Sequence, residues 1–225
     1  MVTGRWSRAQ TAERKFWIQN QKIWSAQNPR RYWRGILGHG LNLDYKFFEG
    51  KTVLEVGCGP VGIIYELDNT MFRVGLEPMD LEDLVIDRIK RSIVRKGKGE
   101  EMPFEDGSFD IVISFNALDH SARPAKVAQE IYRVLRREGE LLLWIYVLRN
   151  GYQFLQGLLN RMDKPHPHHF TRDELIKGTL GDYFDVQYCK DERGTGLPNN
   201  TIKKALANQI MNTLWIRSTK KIRLV

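Results

Sequence analysis

The residues best equipped for chemistry lie in Val53-Leu-Glu-Val-Gly-Cys-Gly-Pro-Val-Gly62, a strand that runs into a glycine-rich turn and then toward a helix. Glycines let a backbone approach a ligand closely and adopt positive φ without penalty, and a helix start leaves free N–H groups. Gly57, Gly59 and Gly62 satisfy Gly-x-Gly-x-x-Gly, and Glu77 lies 20 residues past Gly57, where an acid can meet a ribose. Glu55 discriminates between ligands: a carboxylate at the strand end repels a pyrophosphate and attracts positive charge. A second group of candidates is Asp119-His120, together with His166, His168 and His169 of Lys164-Pro-His-Pro-His-His-Phe170. A carboxylate beside an imidazole orients it and raises its basicity. Asp119, His120 and His169 are therefore the candidates for proton transfer. The histidine run has no cysteine nearby, and its prolines hold the backbone extended, so no metal centre is assigned.

These side chains need a scaffold, and the pattern supplies one. From Lys51 to Ile145, short β-rich runs alternate with helical stretches, which predicts a mostly parallel sheet with crossover helices. The expected strands are 52–56, 72–76, 92–96, 109–115 and 141–147. The last two are nearly continuous apolar runs, as strands buried on both faces are. A helix is expected over 122–137, closed by Gly139. Further on, 151–161 reads as helical, 164–170 as a loop, and Thr171-Arg-Asp-Glu174 as a capping box. Strands at 184–188 and 214–218 flank a loop at 194–200 and a helix from about Thr201. Ahead of the sheet, residues 1–49 form a basic, Trp-rich cap or lid and 50–225 the main domain. A helix at 13–24 is expected to present Phe16, Trp17, Ile23 and Trp24 on one face.

Composition narrows the class. At 225 residues, 42% hydrophobic and 28% charged, the chain has room for a real core. The longest apolar run, Leu141 to Leu148, is far short of the ~20 residues that span a bilayer. Residues 1–14 carry no apolar segment of export type, and Cys58 and Cys189 read as free thiols, so a cytoplasmic setting is expected. The net charge of +8 is uneven: residues 1–34 hold eight Lys/Arg and one acid, residues 190–225 eight and two, and the middle is net acidic. Basic ends suit an anionic substrate, a nucleic acid or a membrane surface, or are simply solvated helix faces.

Val53 to Gly59, Glu77, Met102-Pro-Phe-Glu-Asp-Gly-Ser-Phe-Asp-Ile-Val-Ile-Ser114 and Ile131-Tyr-Arg-Val-Leu-Arg-Arg-Glu-Gly-Glu-Leu141 resemble the ordered motifs of class I S-adenosylmethionine-dependent methyltransferases. They are most similar to the small-molecule branch that includes ubiquinone-biosynthesis enzymes. The resemblance implies a Rossmann-like α/β fold: a seven-stranded, mostly parallel sheet with helices on both faces and a reversed final strand. It implies S-adenosylmethionine as cofactor, whose sulfonium suits Glu55. Gly57, Cys58 and Gly59 would lie against the methionine part, Glu77 and Pro78 at the ribose, and Asn116 near the sulfonium. The family often has Asp where this chain has Lys98, so Gly99, Glu100 and Met102 are the candidates for adenine. Asn116-x-x-Asp119-His120 also resembles a Glu-x-x-Glu-His cation motif, with Asn in place of the first acid. The expected activity is methylation of O or N on a small molecule or carrier-linked intermediate that is anionic, aromatic or both. An RNA-modifying methyltransferase and a non-catalytic cofactor-binding module are the alternatives.

Overall fold

The computed structural model describes residues 2–26, 28–82, 84, 91–163, 165–196 and 200–222. Its strands are β1 (Thr52–Val56), β2 (Phe72–Glu77), β3 (Val94–Lys96), β4 (Phe109–Phe115), β5 (Leu135–Leu148), β6 (Phe170–Thr171), β7 (Phe184–Arg193) and β8 (Met211–Lys220). The helices are α1 (Val2–Ala26), α2 (Pro29–Ile36), α3 (Pro124–Val134), α4 (Gln156–Met162) and α5 (Ile202–Ile210). One sheet runs in the order β3-β2-β1-β4-β5-β8-β7, and the short β6 pairs with the end of β5. The sheet therefore has eight strands rather than the expected seven. Strands β1 to β5 pair in parallel, and β8 runs antiparallel to both β5 and β7. The reversed final strand is thus observed.

Strand residues alternate between two cores, as a period of two requires. Leu54, Val112, Leu141 and Leu143 join α3 and Leu175 on one face. Val53, Ile111, Ile113 and Leu142 join Trp33, Leu37, Phe48 and Ile63 on the other. Residues 29–48 therefore share the core of the main domain, and Gly40 is pressed so close that a Cβ would lie 2.3 Å from the Trp215 ring. Helix α3 starts at Pro124, whose missing N–H is harmless in a first turn. It stops at Val134, short of the expected 137, because Leu135 already pairs with Phe109. The ladder then shifts register before Glu140, with Glu138 at φ +63°. Gly139 thus lies within β5, in this irregularity, and does not close the helix.

Helix α1 departs furthest from expectation. Of its described side chains only Ala9 is buried. Trp17 and Trp24, seven residues apart, turn inward and are half-buried, whereas Phe16 and Ile23 beside them are 46% and 60% exposed. The helix touches the structure along a narrow seam instead of lying on the sheet with a broad face. Downstream, the capping box forms as expected: Thr171 N–H donates to Glu174 Oε2 at 2.8 Å and Glu174 N–H to Thr171 Oγ1 at 3.3 Å. It opens a π-helical segment, Glu174–Thr179.

Candidate active site

Strands β1 and β4 are neighbours whose connections leave in opposite directions, and open α/β sheets bind ligands at the carboxyl edge of such a switch point. The glycine turn lies there. Gly57 has φ +72°, and a Cβ on it would strike Ala117 Cβ at 2.5 Å. Gly59 has φ +51°. Glu77, at the end of β2, accepts from Gly59 N–H at 2.8 Å and from Met79 N–H at 2.9 Å. Tyr65 Oη donates to the Gly59 carbonyl at 2.8 Å, and Trp33 Nε1 to the Val61 carbonyl at 3.0 Å. The turn is thus held from both sides.

The helix expected after the turn is a single 3₁₀ turn, Ile63–Glu66. Glu55 caps it: its carboxylate accepts from Ile64 N–H at 2.8 Å and Ile63 N–H at 3.4 Å. Gly62 makes this possible, since a Cβ there would lie 2.5 Å from Glu55 Oε2. The N–H groups that would receive a phosphate in a dinucleotide site already hold a carboxylate, and a pyrophosphate has no place beside it. Burial pushes Glu55 up to about 8 against the pull of its N–H donors. Burial also pushes Glu77 up to about 7, with Glu13 adding to the rise. Neither acid pairs with a cation among the described residues.

Asn116 ends β4 at φ +50° and donates its N–H to the Trp144 carbonyl at 2.6 Å. Its Oδ1 is buried without a hydrogen-bond partner. Two acids without a cation, an orphaned acceptor and glycines too crowded for a Cβ together fit a ligand with ammonium, sulfonium and hydroxyl groups. Pro78, next to Glu77, is half-buried.

The other residues expected at the cofactor have their own partners in the fold. The Cys58 side chain points into the core, where its Sγ would lie 2.6 Å from a Cβ on Gly75, and burial pushes its thiol up. Glu100 Oε1 accepts from Ala122 N–H at 2.7 Å and Arg123 N–H at 3.1 Å, so this carboxylate ties down the loop before α3. The Met102 side chain is core, and its N–H donates to Glu130. A Cβ on Gly99 would lie 3.1 Å from Val127 and 3.2 Å from Val56, a tight approach. Lys98 Nζ stands 4.4 Å from the Trp6 ring centroid.

Beyond β4 the structure gathers residues far apart in sequence. Asp119 is buried with Oδ1 unpartnered. His120 Nδ1 lies 3.5 Å from Glu13 Oε2, and its ring centroid is 4.5 Å from that of His166. His166 Nδ1 contacts Asp163 Oδ2 at 3.1 Å. Burial disfavours the charged His166, yet Asp163, Asp119 and Glu13 outweigh it and raise its pKa. Burial likewise works against ionised Asp163, but the two histidines and Lys203 hold it well below the usual carboxylate range. His169 is buried, with Nδ1 3.0 Å from Asn160 Oδ1. The loop histidine whose ring meets that of His120 is His166. Asp119, His120 and His166 offer ligand atoms within 4.8 Å of one another, a set that could also hold a divalent cation.

Helix α1 crosses this edge. Trp17 lies 3.8 Å from where a Gly59 Cβ would be, and its Nε1 donates to Glu13 at 2.8 Å. Rings then follow in sequence, Trp17, Trp24, Tyr32, Trp33 and Phe115, with centroids 5.0–6.1 Å apart. Glu13 and Tyr65 were not singled out from sequence. Glu13 had one available signal, as the sole acid among the first 34 residues.

The structure thus combines a Rossmann-like sheet with a reversed strand, a glycine turn at its switch point and buried acids near the ends of β1 and β2. Residues 54–143 match the family described as methyltransferase domain. A sterol 24-C-methyltransferase of Pneumocystis carinii is 32% identical over 124 residues, 51% of this chain and 33% of that protein. A phthiotriol/phenolphthiotriol dimycocerosates methyltransferase of Mycobacterium ulcerans is 36% identical over 100 residues, 41% of this chain and 36% of that protein. The match thus spans about a third of these relatives' length. A solved S-adenosylmethionine-dependent methyltransferase of Thermotoga maritima superposes with TM-score 0.59 at 20% identity, over 96% of this chain and all of the other, and shows the shared fold. Residues 54–143 thus carry the resemblance to a methyltransferase domain, and the solved structure shares the fold. The matches do not single out the ubiquinone-biosynthesis branch.

Proposed function

We propose that the chain transfers a methyl group to an oxygen or nitrogen of a small acceptor that is anionic, aromatic or both, bound between α1 and the carboxyl edge of the sheet. The observation that carries this reading is the meeting of His120, His166, Asp119 and Glu13 beside the glycine turn. S-adenosylmethionine supplies the electrophilic methyl group. The protein's part is mainly position, because an in-line displacement needs alignment more than acid-base power. Glu77 and the backbone of the glycine turn orient the nucleoside and methionine ends. Glu55 and Asn116 receive the positive pole, and Gly99 borders the adenine side. His120 takes the acceptor's proton; Glu13, 3.5 Å away, stabilises the imidazolium that forms. The half-buried tryptophans of α1 give an aromatic acceptor a wall to stack on. The relatives named for sterol 24-C-methylation favour a second reading, in which the acceptor is a carbon of an apolar molecule.

The test pairs binding with turnover. Calorimetry should show S-adenosylhomocysteine binding and NAD failing to bind; preferential NAD binding would overturn the assignment. His120→Ala should cut turnover by ~10²-fold or more with cofactor affinity and melting temperature nearly unchanged. Parallel loss of stability and activity would reduce His120 to a packing residue.

A further inference from the structure

Three helical elements ring the carboxyl edge and leave their apolar residues in solvent. The segment containing α4 carries Phe154, Leu158 and Met162 at four-residue spacing, with Phe154 76% and Met162 68% exposed, and no α4 side chain is buried. Helix α5 carries Ile202 and Leu206 at the same spacing, with Ile202 90% exposed. Helix α1 adds Phe16, Ile18 and Ile23. Eight of the eleven exposed large apolar side chains among the described residues lie on these elements. Scattered single residues would need no explanation, but a concentration of this kind does.

The elements are neighbours. Arg149 N–H donates to the Ile210 carbonyl at 2.9 Å, and Lys203 Nζ lies 3.5 Å from Asp163, so α5 runs back alongside the α4 segment. Asp163 holds His166, which meets His120, which meets Glu13 of α1. Their charge is of one sign. Helices α4 and α5 contain no acid, and the only one in α1, Glu13, is turned toward His120. Arg8, Lys15 and Lys22 repeat every seven residues on the exposed side of α1, and Arg161 and Lys203 stand exposed beside the apolar stripes. Apolar stripes flanked by Lys and Arg, without outward acids, are the pattern of helices that lie in a lipid interface.

We propose that this rim is a docking face for an anionic phospholipid bilayer, which sets the mouth of the acceptor site against the membrane surface. The face stands whatever acceptor is methylated, because its test reads binding and not turnover. The full chain is sedimented with vesicles of phosphatidylcholine alone or mixed with phosphatidylserine. The expected result is retention on the mixed vesicles, weakened at least about tenfold by Phe154→Glu or Ile202→Glu. Lys15→Glu with Lys22→Glu should remove the preference for phosphatidylserine. Met71→Glu, an exposed apolar position before β2 at the opposite edge, should change nothing. Three results would overturn the proposal: no retention of the wild-type chain, retention unaffected by Phe154→Glu and Ile202→Glu, or a lipid-free dimer that Phe154→Glu dissociates. Tight binding of RNA by the same Lys and Arg residues without vesicle retention would count against it equally.

Discussion

Glu55 and Glu77 carry protons in the folded chain at pH values where an unfolded chain has lost them. Each starts from an ordinary value near 4.5 and is raised, to about 8 and about 7 respectively, chiefly by burial. Stability from this source is therefore complete below about 4.5 and is lost as pH rises through about 7 and 8. Glu55→Gln, which cannot ionise, should flatten the fall in melting temperature across that window; an unchanged slope would locate the effect elsewhere. A cationic ligand reverses the balance by favouring both ionised forms. Binding should release protons near neutral pH, which calorimetry in buffers of different ionisation enthalpy detects.

Single residues also show where sequence reading stops. Glu55, Gly57 and Glu77 were legible because type and spacing alone place them at strand ends. Gly62 was harder to judge. Its importance comes from the approach of Glu55, which depends on a one-turn helix that the pattern extends too far. The three loop histidines cannot be ranked from sequence, since Pro165 and Pro167 hold them in one extended stretch. Only tertiary packing turns His169 toward Asn160 and His166 toward His120.

At the scale of elements, the parallel strands were readable because burial on both faces demands unbroken apolar runs. Strand β5 outran its expected start because Arg136 to Gly139 look like a helix end in sequence, although here they form an irregularity in the ladder. Helix α1 was legible as a helix but not in its rotation, because adjacent large apolar residues at 16–17 and 23–24 allow two seams and the edge selects one. The consequence is testable. Removing residues 1–26 takes away a single fully buried side chain among those described, so the truncated chain should fold and melt within several degrees of the parent. It should bind S-adenosylhomocysteine within about tenfold of the parent affinity and show no turnover. Failure to fold would make α1 part of the core.

At the scale of the molecule, no described helix is long and apolar enough to cross a membrane. The basic ends noted in the sequence become spatially specific, since the basic residues of α1, α4 and α5 border one edge while the paired strands form the interior. The aromatic rings extend this organisation through the sheet. Beyond Phe115 they reach Trp144, which stacks on Trp215 of the reversed strand at 5.0 Å with an interplanar angle of 13°. Two indoles held at fixed separation couple their electronic transitions, so this pair constitutes an optical gauge across the β5–β8 seam. The far-ultraviolet circular dichroism of the folded chain, where the intense indole transition lies, should contain a paired positive and negative contribution that Trp215→Phe diminishes, leaving that of Trp17 and Trp24. Followed during heating, its decay would time the detachment of β8 against the loss of the glycine-turn half, and reveal whether the two halves of the sheet melt together or in succession.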